Sequence, residues 1–132
     1  MLEPRVKELA QGRNFAVVST VMPDGSIQSL PLWIDADDEH LLLNTEVHRQ
    51  RYKNVQKDPH VTVAIVEEGN WYSYVEVRGV LDGEVRGDEA RAHIDKLARK
   101  YTGGDYPGTI ESERVILKVA PTRQKARSLT GR

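Results

Sequence analysis

Leu41-Leu-Leu-Asn-Thr-Glu-Val-His-Arg-Gln-Arg-Tyr-Lys-Asn-Val-Gln-Lys-Asp-Pro-His-Val-Thr-Val-Ala-Ile65 is the stretch whose reading decides the fold. It opens as an apolar run, Leu41 to Leu43, and closes as an alternating one, Val61, Val63 and Ile65. Both patterns suit strands, the second a half-buried one. Between them the chain is basic, with Arg49, Arg51, Lys53 and Lys57. Tyr52 and Val55 stand three apart, as do Arg51 and Asn54, a spacing that puts each pair on one helical face. Asp58 precedes Pro59, and the residue before a proline is pushed out of the helical region. The stretch reads as strand, basic helical turn, strand.

The chemistry lies at the start of that turn. A helix N-terminus presents unpaired N–H groups and the positive end of a dipole, which makes it a site for anions. Arg49 and Arg51 are placed where cations are disfavoured, since basic side chains are stabilised at the other end of a helix. Two explanations stand. Either an anion neutralises them, and arginine's planar fork suits a phosphate well, or they are solvated charges on a short surface helix.

Composition narrows the classes. The chain has 132 residues, read as a single domain over 1–132. Nineteen basic side chains stand against 20 acidic ones, so no global field draws it to nucleic acid or membrane. It has no cysteine, which removes disulfides, thiolate metal sites and a cysteine nucleophile, and fits a cytoplasmic location. No apolar run approaches the roughly 20 residues that span a bilayer, and Met1-Leu-Glu-Pro-Arg5 lacks a signal peptide's hydrophobic stretch.

Working outward, Leu2, Val6, Leu9 and Ala10 mark one face of an opening helix that Gly12 ends. Phe15 to Val21 reads as a strand, Met22-Pro-Asp-Gly25 as a turn, and Ser26 to Asp35 as the returning strand. Beyond the central stretch, Glu67 to Asn70 makes another turn and Trp71 to Val85 a long strand. Gly79 within it suggests a bulge or a close backbone approach. Asp88 is the candidate N-cap of a helix to about Tyr101, with Ile94, Leu97, Ala98 and Tyr101 on its buried face. Thr102 to Gly108 is a loop, and Arg114 to Ala120 the last strand, stopped by Pro121. A basic tail, Thr122 to Arg132, follows. Six strands and three helices with little βαβ alternation predict a small, mostly antiparallel barrel with peripheral helices. Side chains fill so small a barrel, so a cofactor sits outside it, in a groove that a second subunit could complete.

The order of segments resembles the pyridoxamine-phosphate-oxidase-like split β-barrel superfamily. Phe15-Ala-Val-Val-Ser-Thr-Val-Met-Pro-Asp-Gly25 is similar to its opening hairpin. Arg49-Gln-Arg-Tyr-Lys-Asn-Val-Gln-Lys-Asp-Pro59 is similar to its R-x-(K/R)-x-x-N-(L/V)-x-x-D-P segment. Tyr74 to Gly79, Arg99 to Gly103 with Tyr106-Pro107, and Arg114 to Pro121 follow in the family's order. Within the superfamily the likeness is to the branch that uses the deazaflavin coenzyme F420. The resemblance implies a six-stranded antiparallel split barrel (α+β) and a homodimer with cofactor grooves at its interface.

The same resemblance implies cofactor-binding roles. Arg49 and Arg51 match the basic pair on the cofactor phosphate, and Asn44 and Thr45 lie where the family approaches the phosphate and linker. Pro31, Leu32 and Trp33 match the strand edge along the ring, and Tyr74 an aromatic near the same groove. Asn54 holds the basic helix in place. Arg51 stands where lysine is commoner, and the tail lacks a tryptophan that many members carry. Trp33 and Tyr74 also suit half-buried amphipathic positions of a barrel or dimer interface.

No metal-ligand spacing is found among His40, His48, His60 and His93, although His48 lies beside the arginines and is a candidate phosphate contact. No catalytic side chain stands out. The expected activity is hydride transfer between F420 and a small organic substrate such as an unsaturated carbonyl, the cofactor carrying the chemistry. The alternatives are an FMN-dependent oxidase or reductase on the same barrel and a non-catalytic flavin- or deazaflavin-binding protein. F420 ends in a carboxylate-rich tail, for which Lys53, Lys57, Arg123, Lys125 and Arg127 are candidate partners.

Overall fold

The computed structural model describes residues 1–129. Three helices, α1 (Pro4–Gln11), α2 (Gln50–Lys57) and α3 (Asp88–Thr102), surround seven strands. These are β1 (Phe15–Val21), β2 (Ile27–Leu32), β3 (Asp35–Ala36), β4 (Leu41–Glu46), β5 (His60–Glu67), β6 (Asn70–Arg86) and β7 (Arg114–Ser128). They form one antiparallel sheet in the order β2-β1-β5-β6-β7-β4-β3. The two outermost strands are consecutive in sequence. Only Trp33 and Ile34 separate them, and three Cα–Cα steps reach at most about 11 Å. The sheet must therefore curl until its edges nearly meet, which is the split barrel.

That closure corrects the expectation of one strand from Ser26 to Asp35. The segment pairs with β1 up to Leu32, crosses the seam at Trp33–Ile34, and pairs with β4 from Asp35. The seventh strand comes from this break. The interior is apolar: Ile34, Leu41, Val63, Ile65, Val77 and Val119 are fully buried. Val6, Leu9 and Ala10 of α1 join the same core.

Pro121 does not end the last strand. β7 runs on to Ser128 because the proline, which has no N–H to give, falls where the β6–β7 register already shifts, between Arg78 and Gly79. Gly79 faces it, and a Cβ there would collide with the Ala120 carbonyl oxygen and lie 2.8 Å from Val119 Cγ1. The close approach expected of Gly79 is present. Residues 122–128 of the basic tail are thus strand, while 130–132 lie outside the described residues.

The helix ends also differ slightly from expectation. Gly87, at φ 78°, caps α3 and Asp88 is its first residue. Asp88 and Glu89 then face the positive dipole end, and Gly103 in the left-handed region closes the helix. No helix among the described residues is long and apolar enough to cross a membrane.

Candidate functional site

α2 begins where the sequence places it, with Arg49 as an extended N-cap and Arg51 in the first turn. No side chain caps this end, and the helix has no acidic residue in its first turn. Asn54 fixes the helix against the barrel, its Nδ2 donating to Thr20 Oγ1 at 3.0 Å on β1. The N-terminus of α2 opens onto a cavity of about 350 Å³ beside the closure seam.

Six of the eight expected cofactor-binding residues line this cavity: Pro31, Leu32, Trp33, Asn44, Arg49 and Arg51. Thr45 does not. Strand alternation turns it to the opposite face of β4 from Asn44, where it is buried, and its hydroxyl has no hydrogen-bond partner among the described residues. Tyr74 also lies elsewhere, on the outer face of β6. There it lines a second cavity of about 610 Å³ with Trp71, Tyr72, Lys125 and Arg127. His48 turns away from the cavity and shares a hydrogen bond with Ser112 Oγ at 2.6 Å.

Tyr101, Tyr106 and Arg114, not among the expected cofactor-binding residues, also line the first cavity. Trp33 and Tyr101 lie nearly parallel, centroids 5.6 Å apart at 5°, and Tyr106 meets Trp33 edge-on at 6.2 Å. Tyr101 is fixed by donating its hydroxyl proton to the Asn14 carbonyl at 2.8 Å. The loop after α3 holds Tyr106, whose N–H donates to Asp95 at 3.0 Å. Part of the cavity lining is therefore an aromatic wall.

Another part of the lining is cationic, and it adjoins the wall, Arg114 Cζ lying 5.3 Å from the Tyr106 ring centroid. Arg49, Arg51 and Arg114 all belong to it. The one carboxylate within ion-pair range of any of them, among the described residues, is Glu46, 3.4 Å from Arg114 and 4.0 Å from Arg49. Burial pulls the Arg51 guanidinium below its ordinary pKa, and the like charges of Arg49 and Arg114 pull further. Its buried Nε has no hydrogen-bond partner among the described residues. Burial likewise lowers Arg114, against the opposing pull of Tyr106 and Glu46. Glu46 is fully buried, which alone would raise its pKa. The N–H groups of Ser112 (2.8 Å) and Glu111 (2.7 Å), with Arg114, hold it below the usual carboxylate range instead. Three guanidinium charges against one carboxylate leave the cavity short of negative charge, and the orphaned Arg51 Nε points to an oxyanion as what fits.

A flat aromatic wall joined to an anion-seeking patch, on a barrel of this topology, agrees with a family match. The model of the pyridoxamine 5'-phosphate oxidase family covers residues 2–127. The chain belongs to that family. Membership places it among flavin-binding oxidoreductases of the split-barrel type. An F420 reductase of known structure is 31% identical, superposes with a TM-score of 0.81, and aligns over 95% of this chain and 98% of its own. A conserved hypothetical protein from Mycobacterium tuberculosis is 21% identical over 97% of this chain and 85% of its own, with a TM-score of 0.75. A putative pyridoxamine 5'-phosphate oxidase from Listeria innocua is 17% identical over 94% and 98%, with a TM-score of 0.68. These last two are alike in fold. No protein of curated function matches the sequence.

Proposed function

We propose that the protein is a cytoplasmic F420-dependent oxidoreductase acting on a small organic substrate such as an unsaturated carbonyl. The observation that carries the reading is one cavity joining three guanidiniums to the Trp33–Tyr101 wall. The F420 reductase at 31% identity supports the choice of cofactor. In this reading Arg49, Arg51 and Arg114 hold the cofactor phosphate, Asn44 steadies Arg114, and Trp33 and Tyr101 border the ring and exclude water from it. When bound, the deazaflavin supplies the hydride.

The reading also takes the active form to be a homodimer. Phe15, Val17, Ile27, Tyr72 and Tyr74 are exposed on the outer face of β2-β1-β5-β6. The register sets Phe15, Val66 and Tyr74 in one row, and Pro31, Val17 and Ala64 in the next. Phe15 and Pro31 also border the cavity. A second copy seated on this face would wall the cavity, and the partner's copy of this face would supply an aromatic position such as that of Tyr74.

An FMN-dependent oxidase or reductase is the second reading, and one observation favours it. Lys125 and Arg127, candidate partners for a carboxylate tail, line the other cavity, and Lys57 lies in a third beside Met22. Within one chain the converging arginines suit a terminal phosphate better than a long anionic tail. Parallel fluorescence titrations of the protein with F420 and FMN separate the two readings. Tighter binding of F420, followed by oxidation of reduced F420 in the presence of an enone, is the expected result. Tighter FMN binding moves the protein to the flavin reading. Binding of neither overturns both, and binding of F420 without turnover by any acceptor leaves a carrier protein.

A further inference from the structure

Five buried polar side chains, Asp35, Asn44, Glu46, His93 and Arg114, lie between α3 and the outer face of β3, β4 and β7. Four of them are joined by hydrogen bonds in one line. Asp35 Oδ2 is 3.0 Å from His93 Nε2, and His93 Nδ1 is 3.0 Å from Asn44 Nδ2. Arg114 Nε donates to Asn44 Oδ1 at 2.8 Å, and its Nη1 reaches Glu46 at 3.4 Å. Only Asn44 and Arg114 of this line touch the cavity.

The polarity of the line is set from its ends. Arginine can only donate, so the Asn44 atom that faces it is the carbonyl oxygen. The other amide atom is therefore NH2, which donates to the Ala90 carbonyl at 2.9 Å and must also donate to His93 Nδ1. His93 Nδ1 is left without a proton, and Nε2 carries the one that is donated to Asp35. Asp35 can take it because it is ionised. Burial opposes that charge, but the bonds from His93, the Ala36 N–H and Lys96 hold its pKa down to about 2. Every bond in the line has one allowed direction, and reversing any member leaves a buried donor facing a donor.

We propose that His93 is a positioning residue of the anion site: acting through Asn44, it sets the orientation of the Arg114 guanidinium at the cavity wall. The proposal deepens the reading of the cavity as a cofactor-phosphate site and rests on it. Arg49 is half-exposed and Arg51 has no hydrogen bond among the described residues. Arg114 is the arginine whose plane is fixed before anything binds: Asn44 Oδ1 holds its Nε, Glu46 lies 3.4 Å from its Nη1, and its guanidinium carbon is 5.3 Å from the Tyr106 ring centroid. His93 Nδ1 and the Ala90 carbonyl together keep the Asn44 oxygen turned outward by accepting the two protons on the opposite side of the same amide.

The experiment uses the full-length protein and two readouts. In 15N NMR, His93 is expected as the Nε2–H tautomer, with a slowly exchanging Arg114 Nε–H. His93→Phe, which offers neither acceptor nor donor, should broaden or lose that Arg114 signal. His93→Gln, whose amide can accept from Asn44 and donate to Asp35, should restore it. In titrations with F420 and FMN, His93→Phe should weaken the preferred cofactor about 10-fold, and His93→Gln should stay within about 2-fold of the wild type. In an Arg114→Ala background the effect of His93→Phe should vanish, as coupled residues require. The Nδ1–H tautomer in the wild type overturns the proposal without any variant. So does an unchanged Arg114 signal in His93→Phe, or an affinity loss that persists without Arg114. A wild type that binds neither cofactor fails the functional reading, and the NMR arm still decides what His93 does to Arg114.

Discussion

The sheet has two outer faces that contrast. The one under α3, along β3, β4 and β7, is covered, and its covered side chains include four polar ones, Asp35, Asn44, Glu46 and Arg114, beside the apolar Ile116. The other, along β2, β1, β5 and β6, is uncovered and carries Phe15 at 68% exposure, Tyr72 at 64% and Ile27 at 61%. This inverts the usual arrangement, in which polar groups face water and apolar ones are hidden. The chain buries polar groups where its own helix and loop bond most of them, Glu46 Oε2 being held only by its ion pairs with Arg114 and Arg49. It leaves apolar groups bare where only another molecule could cover them. The first face holds charges in place, and the second is the one the proposed homodimer would use.

The sharpest way to break the covered face is Glu46→Ala. It would leave the buried Arg114 without its carboxylate and the part-buried N–H groups of Glu111 and Ser112 without their acceptor. Removing one partner of a buried ion pair costs about 3–5 kcal/mol, and urea unfolding should show a loss of that order. A loss under about 1 kcal/mol would mean that water already reaches Glu46. Next in size is Arg49→Ala with Arg51→Ala, expected to cost about 3 kcal/mol or more in cofactor affinity while the fold stands. Unchanged affinity in the double variant would sink the phosphate assignment.

Asp35 gives the covered face a dependence on acid. Its pKa is held at about 2 in the fold, against an ordinary value of 3.8. A depressed carboxylate stabilises the fold fully above the ordinary value and loses that contribution as pH falls through the folded one. The window is therefore about pH 4 down to 2, and the amount about 2 kcal/mol. Asp35→Asn should flatten the pH dependence of stability over that window, and an equal slope in both proteins would remove Asp35 from the account. The smallest effect on stability is expected on the open face. Val17→Lys should shift monomer stability by no more than about 0.5 kcal/mol, yet turn a dimer into a monomer in sedimentation. A variant that sediments like the wild type would leave the apolar face without its proposed partner.

Legibility in the sequence followed the range of the interaction. The basic start of α2 and the Pro23–Gly25 turn are local and could be read from neighbours in the chain, and the glycine at 79 itself signalled a close approach, though not that the partner would be Ala120. The break at Trp33–Ile34 could not, because nothing nearby says that β2 and β3 belong to opposite edges of the sheet. Pro121 misled for the same reason: its tolerance in β7 depends on Gly79, 42 positions earlier (121 − 79). Arg114 looked like the start of a strand, and only the fold brings it to Asn44 and beside Arg51. His93 carried no signal at all, since its partners come from β3 and β4. Tyr106, followed by a proline after a double glycine, was the one missed wall residue with a local hint, a loop chemistry stiff enough to present a ring.

The two-residue seam carries one more consequence. Trp33 sits on the link that joins the barrel's edges, so the aromatic wall does not exist until the last strand pairs have formed. The wall therefore needs both edge pairings, β2 with β1 and β3 with β4, to be in place at once. A molecule that binds there acts as a latch, and the resistance of the barrel to opening rises with its concentration relative to its Kd.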